Sequence, residues 1–176
     1  VSPFNIFFSS LRPKGALSPI DLEKAENYGV SRIEQFTWKQ LLDLYACTQC
    51  GRCQVNCPAH LTGKPLNPKQ VILGLKEYLL EEGSSLIKTK GTDHSPTKAL
   101  IGDVITEDVL WSCTTCRACQ EQCPVLIEHI DKIVDMRRNL VLEQAKIPET
   151  AEIILRCIES RGHTCSCLLY TSPSPR

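Results

Sequence analysis

Two cysteine runs with the same spacing constrain this chain more than any other feature. Each follows the pattern C-x2-C-x2-C-x3-C-P, at residues 47–58 and again at residues 113–124. Three thiolates separated by two residues each can turn inward from one tight loop and bind three corners of an iron-sulfur cube. A zinc module, which usually pairs two separated C-x2-C knuckles, and a disulfide framework are the alternatives. The doubled triple run predicts two [4Fe-4S] clusters.

The last cysteine of each run is predicted to bind the cluster of the other run, as in two-cluster ferredoxins. Cys57 and Cys123 each precede a proline. Proline has no N–H and disfavours helix at the residue before it, so each of these cysteines can turn away from its own loop. The predicted ligands are Cys47, Cys50, Cys53 and Cys123 for the first cluster, and Cys113, Cys116, Cys119 and Cys57 for the second.

The composition bears on the compartment and on the partners. Eight of the eleven cysteines belong to the two runs. This favours metal ligands over secreted disulfides and makes the cytoplasm the expected location. Twenty basic residues balance twenty acidic ones without local concentration of either sign, so nucleic acid is not an expected partner. No run of about 18 apolar residues occurs, so no membrane span is expected within these residues.

The two runs belong to a longer internal repeat. The shift between them is 113 minus 47, or 66 residues, and the match extends to four pairs beside the cysteines: Leu44 with Leu110, Tyr45 with Trp111, Thr48 with Thr114, and Gln54 with Gln120. Each half is predicted to be a helix that runs into a cluster loop. Thr37 and Thr106 are the expected N-cap residues of these helices.

Apolar spacing predicts three further helices. One begins at Asn67-Pro68 and is expected to end at Gly83, with a mobile loop from there to about residue 95. Another covers about four turns over 130–141. The last begins near Pro148 and is expected to turn four residues inward: Ile153, Ile154, Cys157 and Ile158. No segment alternates with period two for long enough to be a strand, so the predicted fold is mostly α.

This layout resembles the α-helical ferredoxin domain found in succinate dehydrogenases and in the two-cluster subunit of heterodisulfide reductases, over roughly residues 36–162. Segments 36–53, 57–59, 62–69 and 128–131 are similar to heterodisulfide-reductase-related iron-sulfur oxidoreductases. Some of those proteins resemble membrane-bound electron-transfer-flavoprotein:quinone oxidoreductases. The resemblance implies a membrane domain before the two-cluster domain and cysteine-rich CCG domains after it. It also implies a flavoprotein or flavin-dependent dehydrogenase as one redox partner, and quinone, haem or a disulfide-active domain as the other.

Three segments are therefore expected. Residues 1–35 resemble the juxtamembrane or linker stretch that follows such a membrane domain, and residues 36–162 form the two-cluster domain. Residues 163–176 are expected to be a non-native or disordered tail, because residues 167–176 match a translated sequencing adapter. On this interpretation the chain is a fragment, and the cluster domain of the full protein lies on the cytoplasmic side of a membrane.

The leading functional hypothesis is electron transfer through two clusters within a larger membrane-associated oxidoreductase. The first alternative is a structural or assembly module that metal only stabilises. The second is a complete thiol or disulfide reductase that uses Cys157 and Cys165, although burial is the expected role of Cys157. No catalytic site is predicted, because no Ser/His/Asp set, paired carboxylates or dinucleotide-binding glycine pattern stands out.

Several residues near the loops are weaker candidates. Arg52 and Arg117 could raise the cluster potentials or meet an acidic partner, with a solvated loop arginine as the alternative. His60 and His129 each follow a cluster loop by a few residues. Each could donate a hydrogen bond to cluster sulfur or relay a proton, with an ordinary structural role as the alternative. Trp38 and Trp111 are expected to pack beside the clusters.

Overall fold

The computed structural model describes residues 2–8, 16–23, 27–89 and 96–164. Within these ranges every regular element is helical, apart from one isolated bridge between Ile101 and Ile105. The prediction of a mostly α fold is therefore confirmed. The α-helices are α1 Ser2–Phe7, α2 Trp38–Ala46, α3 Arg52–Val55, α4 Pro58–Leu61, α5 Pro68–Thr89, α6 Glu107–Trp111, α7 Ala118–Glu121, α8 His129–Leu142 and α9 Glu149–Arg161, and a 3-10 turn covers Ile33–Gln35.

The helices α2 and α6 lead into the two cysteine loops, and both begin where the sequence predicts. The Gln40 backbone N–H donates to the Thr37 hydroxyl at 3.3 Å, and the Gln40 amide oxygen accepts from the Thr37 backbone N–H at 2.9 Å. This reciprocal pair is a capping box, and it satisfies backbone donors that the first turn of a helix leaves without partners. Thr106 occupies the same capping position before α6.

One hydrophobic core joins the two halves of the repeat. The short helices α3 and α7, which follow the two loops, pack against each other. The core takes fully buried side chains from both halves and includes Cys57 and Cys123. Burying one such leucine or isoleucine side chain stabilises the fold by about 1.5–3 kcal/mol. Among the largest fully buried apolar side chains are Leu44, Ile72, Leu75, Leu100, Leu110, Ile127, Ile133 and Met136.

The helix α5 is longer than predicted. Its start is confirmed, because the Asn67 side-chain oxygen accepts from the Lys69 backbone N–H at 3.1 Å. The helix then continues through Gly83 to Thr89, so the predicted end at Gly83 is wrong. A single glycine weakens a helix by only about 1 kcal/mol, and Leu86 packs against the core beyond it. The rest of the predicted mobile loop, residues 90–95, lies outside the described residues.

The two C-terminal helices test the remaining predictions. The four-turn helix is confirmed as α8. The helix α9 begins after Pro148 as predicted, but its apolar side does not turn inward, since Ile153, Ile154 and Ile158 are 57%, 44% and 42% exposed. A 3.6-residue apolar period predicts a helix, but it does not establish that a neighbouring surface is within reach.

The N-terminal helix α1 packs against α2 at the end far from the cysteines. The rings of Phe8 and Trp38 meet edge to face with centroids 5.3 Å apart, and Trp38 remains 64% exposed. The prediction that Trp38 packs beside a cluster is wrong, because it begins the helix whose other end precedes Cys47. Trp111 does pack against the core next to the second loop. Within the described ranges, no helix combines the length and the apolar character needed to cross a bilayer.

Candidate iron-sulfur centres

The two cysteine loops have the same backbone shape. Gln49 and Gly51 flank Cys50 with φ values of 58° and 80°, and the residues 66 positions later, Thr115 and Arg117, have φ values of 55° and 63°. These left-handed residues reverse the chain twice within one short loop. Glycine adopts this conformation readily, whereas a residue with a side chain, such as Arg117, is destabilised by about 1–2 kcal/mol.

Exposure of the cysteines follows the same order in both runs. The second cysteine is exposed, Cys50 in one loop and Cys116 in the other, and the first is partly buried. The third and fourth are buried in both runs. Each group of thiols therefore has one edge at the surface and one edge inside the protein.

The first group of thiols surrounds a single cavity. Four cysteines line it, together with Lys69 and His129: Cys47, Cys50, Cys53 and Cys123. Burial, together with the charges of Cys47, Cys123 and Cys50, raises the pKa of the Cys53 thiol to about 11. The fourth cysteine at this cavity thus comes from the second run, 70 residues after Cys53 (123 minus 53).

The second group of thiols likewise lies near a cysteine of the other run. Burial raises the pKa of the Cys119 thiol most strongly, and charges on other cysteines raise it further, in the order Cys113, Cys57, Cys53 and Cys116. Cys57, from the first run, thus lies close enough to Cys119 for its charge to act on it. The described structure therefore places Cys57 near the second group of thiols, as it places Cys123 at the cavity of the first.

The two groups lie next to each other. Cys53 and Cys119 share a small apolar cluster with Ile130, and Cys113 and Val134 pack against it. This contact is buried, so water is excluded where the groups meet. Charges in such a place interact more strongly than at the surface, because the effective dielectric constant is lower.

Backbone N–H groups donate to the cysteine sulfurs. The Thr115 N–H donates to Cys113 Sγ and the Ile127 N–H donates to Cys123 Sγ, both at 3.4 Å. The Arg52 backbone N–H lowers the pKa of the Cys50 thiol. Such hydrogen bonds favour thiolates and tune the potentials of iron-sulfur clusters.

This donor set fits two [4Fe-4S] clusters. Eight thiols fall into two groups, and burial together with the neighbouring cysteines raises the pKa of Cys53 and of Cys119. A positively charged metal group at each place would favour the thiolate forms that bind metal. No three His, Cys, Asp or Glu side chains of the described residues lie close enough to hold one single metal ion.

A buried ion network holds the chain around Cys123 in place. The sequence analysis does not identify its members as part of the site. The Lys132 ammonium lies 2.5 Å from one Asp43 carboxylate oxygen, and the Lys39 ammonium lies 2.5 Å from the other. Burial would raise the pKa of Asp43, but these two charges hold it below the ordinary value. Asn5 donates both to Asp43, at 2.9 Å, and to the Val125 carbonyl, at 2.8 Å.

The sequence does not reveal this ion network, because its members are either ordinary neighbours on one helix or far apart in the chain. Lys39 and Asp43 have the i,i+4 spacing of an ordinary surface pair. Lys132 is 89 residues away from Asp43 in the chain, and only the tertiary fold brings it there. The Glu128 backbone N–H, which donates to Asp43 at 3.2 Å, ties the segment after Cys123 to α2 of the first half.

The weaker candidates occupy different positions around the loops. Arg117 donates to the Ala16 carbonyl, and Arg52 lies beside Cys50. His129 is buried, and its Nδ1–H donates to the Ile127 carbonyl at 3.0 Å. His60 Nε2 lies 3.1 Å from the Gln54 side-chain nitrogen.

Arg137 is a further residue that the sequence prediction misses. It lies on α8 and donates to the carbonyls of Leu110 and Cys113 at the start of the second loop. No local pattern marks it, because both carbonyls are more than 20 residues away in the chain.

Comparisons with known proteins agree with this geometry. Residues 39–124 match the family model of the 4Fe-4S dicluster domain. A probable iron-sulfur-binding oxidoreductase of Bacillus subtilis, FadF, is 42% identical over 92% of this chain and 27% of its own length. The EtfAB:quinone oxidoreductase of Syntrophomonas wolfei is 40% identical over 90% of this chain and 25% of its own length.

A third relative matches the predicted resemblance to heterodisulfide reductases. One subunit of the ferredoxin:CoB-CoM heterodisulfide reductase of Methanosarcina mazei is 32% identical over 66% of this chain and 60% of its own length. The chain thus spans about a quarter of the length of the first two relatives. The sequence predictions of the family and of two [4Fe-4S] clusters are confirmed. The chain belongs to the family of iron-sulfur oxidoreductases that carry a 4Fe-4S dicluster domain.

Proposed function

We propose that this chain carries electrons through two adjacent [4Fe-4S] clusters, as the electron-transfer domain of a larger membrane-associated oxidoreductase. The observation that carries the proposal is the grouping of the cysteines into two neighbouring sets of four. A bound cluster would supply the one-electron chemistry. The chain itself would bind the cluster, exclude water and tune its potential through N–H donors to sulfur.

The proposed ligands follow the two groups. Cys47, Cys50, Cys53 and Cys123 would hold the first cluster, and Cys113, Cys116, Cys119 and Cys57 the second. The exposed edges at Cys50 and Cys116 suit electron entry and exit, because a partner can approach each one. The buried contact between Cys53 and Cys119 suits passage between the clusters.

The proposed domain covers residues 36–162, with residues 1–35 as a linker and residues 163–176 as a tail outside it. For the partners, we propose a flavoprotein on one side and quinone or a disulfide-active domain on the other. The names of the relatives support this pairing, because one names EtfAB and quinone and another names a heterodisulfide. Since quinones dissolve in lipid, we also propose that the full protein works at a membrane, with the clusters on its cytoplasmic side.

Metal analysis and spectroscopy of anaerobically purified protein test the electron-transfer role. We expect about eight irons for each chain, from two four-iron cubes, a brown colour, and electron paramagnetic resonance signals that appear on reduction with dithionite. A Cys157→Ser variant is the matched control and should keep all the iron, because Cys157 lies on α9 outside both groups. A colourless zinc protein, or iron that does not respond to reduction, would disprove the proposal.

Stopped-flow mixing with defined redox partners tests the flavoprotein assignment. Reduced electron-transfer flavoprotein should reduce the clusters. The rate of this reaction should fall as salt is added if charged surfaces guide the encounter. A dithiol such as reduced dithiothreitol serves as the comparison. Reduction by the dithiol but not by the flavoprotein would contradict the assignment and favour a disulfide-active partner.

A further inference from the structure

Arg137 holds the segment that enters the second cysteine loop. Its Nε donates to the Leu110 carbonyl at 3.0 Å, and its Nη2 donates to the Cys113 carbonyl at 2.6 Å. The same guanidinium lies 5.1 Å from the centre of the Trp111 ring. One side chain of α8 therefore fixes both the last turn of α6 and the first cysteine of the loop.

The first half of the repeat has a weaker counterpart. Lys76 lies 5.6 Å from the centre of the Tyr45 ring, and Tyr45 corresponds to Trp111 in the repeat. Among the described residues, no side chain donates to the carbonyls of Leu44 or Cys47, the counterparts of Leu110 and Cys113. A lysine ammonium cannot reproduce the planar fork with which Arg137 donates to two carbonyls.

The charge of Arg137 has a definite electrostatic effect at this place. A guanidinium stays protonated at all working pH values. Arg137 is partly buried, and solvent therefore screens its charge less than that of a surface arginine. Reduction adds one negative charge to a cluster, so a fixed positive charge beside Cys113 stabilises the reduced form. Arg52 and Lys69 lie at the first group of cysteines and act mainly on the other cluster.

We propose that Arg137 is a positioning residue that holds the second loop in place and raises the reduction potential of the cluster bound by Cys113, Cys116, Cys119 and Cys57. This inference rests on the proposed function, because it requires that a cluster is bound there. It concerns the second cluster, since the described contacts of the Arg137 guanidinium with Leu110, Trp111 and Cys113 lie in the segment that enters the second loop.

Potentiometric titration followed by electron paramagnetic resonance tests the inference on three variants. Arg137→Gln removes the charge, Arg137→Lys keeps the charge but loses the fork, and Lys76→Gln is the matched control in the first half. The signal that Cys116→Ser alters identifies the second cluster. We expect Arg137→Gln to shift the midpoint potential of this cluster downward and to leave that of the first cluster unchanged. Arg137→Lys should retain most of the wild-type potential, and Lys76→Gln should not move the second cluster.

The outcomes separate this inference from the proposed function. Wild-type protein without two reducible clusters would overturn both. Two intact clusters with no shift in Arg137→Gln, or with equal shifts of both, would overturn only the role of Arg137. If Arg137→Gln lacks the second cluster, the Arg137→Lys variant decides the question. A second cluster retained in Arg137→Lys near the wild-type potential supports the inference. Loss of that cluster from both variants overturns the claim about potential.

Discussion

Asp43 is the central residue of the buried ion network, because Lys132, Lys39 and Asn5 all contact its carboxylate. It is fully buried and lies against Lys132, which is also buried, and against Lys39. Replacing Asp43 by asparagine would leave the Lys132 ammonium buried without an opposite charge. We therefore expect Asp43→Asn to lower the free energy of unfolding by about 3–5 kcal/mol, measured by urea denaturation under anaerobic conditions with circular dichroism.

Two further variants are the controls for this prediction. Lys132→Met should be less damaging, because Asp43 keeps Lys39, Asn5 and the Glu128 N–H as partners. Glu81→Gln breaks an exposed pair with Lys98 and should change the free energy of unfolding by less than about 1 kcal/mol. A loss in Asp43→Asn no greater than that in Glu81→Gln would show that the network is not stabilising.

His129 predicts a loss of stability in mild acid. Burial, together with the nearby Lys132 charge, lowers its pKa to about 4. Because the folded pKa lies below the unfolded value of about 6.5, the unfolded state binds more protons between these two pH values. The contribution is therefore fully present above about pH 6.5 and is lost as the pH falls toward 4. For this one group we expect a loss of about 2 kcal/mol between pH 7 and pH 5.

A pair of histidine variants isolates this effect. Asparagine at position 129 can still donate to the Ile127 carbonyl but does not titrate, so His129→Asn should depend less steeply on pH than the wild type. His60→Asn is the matched control for the removal of a histidine. Denaturation midpoints at pH 7, 6 and 5 give the comparison. Equal pH dependence in His129→Asn and the wild type would rule out His129 as the source.

At the scale of single elements, α5 gives a prediction in the stabilising direction. Gly83 lies inside the helix, and a Cβ built there meets no atom within 4 Å. Gly83→Ala should therefore raise the free energy of unfolding by about 0.5–1 kcal/mol, because alanine loses less backbone entropy in a helix. Thermal unfolding followed by far-UV circular dichroism measures the change.

Gly29→Ala is the opposite control. Gly29 has a φ of 86°, and a Cβ there would lie 2.2 Å from the Asp135 carbonyl oxygen in α8. This variant should lose stability, since both the conformation and the close approach require glycine. A lower melting temperature for Gly83→Ala would contradict the continuous helix.

The helices also show which features a sequence can predict. The starts at Thr37 and Asn67 follow from side chains that satisfy backbone groups within one turn, so local sequence determines them. Thr106 occupies the same position before α6 without a side-chain capping hydrogen bond. The end of α5 depends instead on tertiary contacts such as that of Leu86 with the core. The exposed side of α9 is unpredictable for the same reason, because burial depends on a neighbouring surface.

The candidate site divides in the same way. Cysteine spacing predicts the ligand types and the two loops, because both are properties of short segments. Arg137 and the pair of Asp43 with Lys132 act across long stretches of chain, and nothing in their local sequence distinguishes them from surface charges. Such supporting residues become visible only in the folded protein.

At the scale of the whole molecule, the two halves depend on each other. The helices α3 and α7 pack together, and the buried Cys57 and Cys123 both belong to the shared core. Cys123 of the second half lines the cavity of the first group, and Cys57 of the first half lies near Cys119 of the second group. When ligands come from both halves, cluster binding and folding are coupled, and a ligand variant can act on the distant half.

Crossed ligation predicts a distinctive pair of variants. Cys57→Ser should damage the cluster held by Cys113, Cys116 and Cys119, because it removes the fourth ligand of the second group. Cys123→Ser should damage the cluster held by Cys47, Cys50 and Cys53. Electron paramagnetic resonance spectra of the reduced variants, which distinguish the two clusters, give the measurement. Cys157→Ser is the control and should leave both signals unchanged.

The spectra are interpretable only if the variants remain folded. Far-UV circular dichroism must show wild-type helix content in each of them, because serine at either position could unfold the shared core and remove both clusters together. With helix retained, loss of the distant cluster in both variants establishes the exchange of ligands between the halves. Loss of the local cluster in both would instead establish two self-contained sites, and the crossed arrangement would then be wrong.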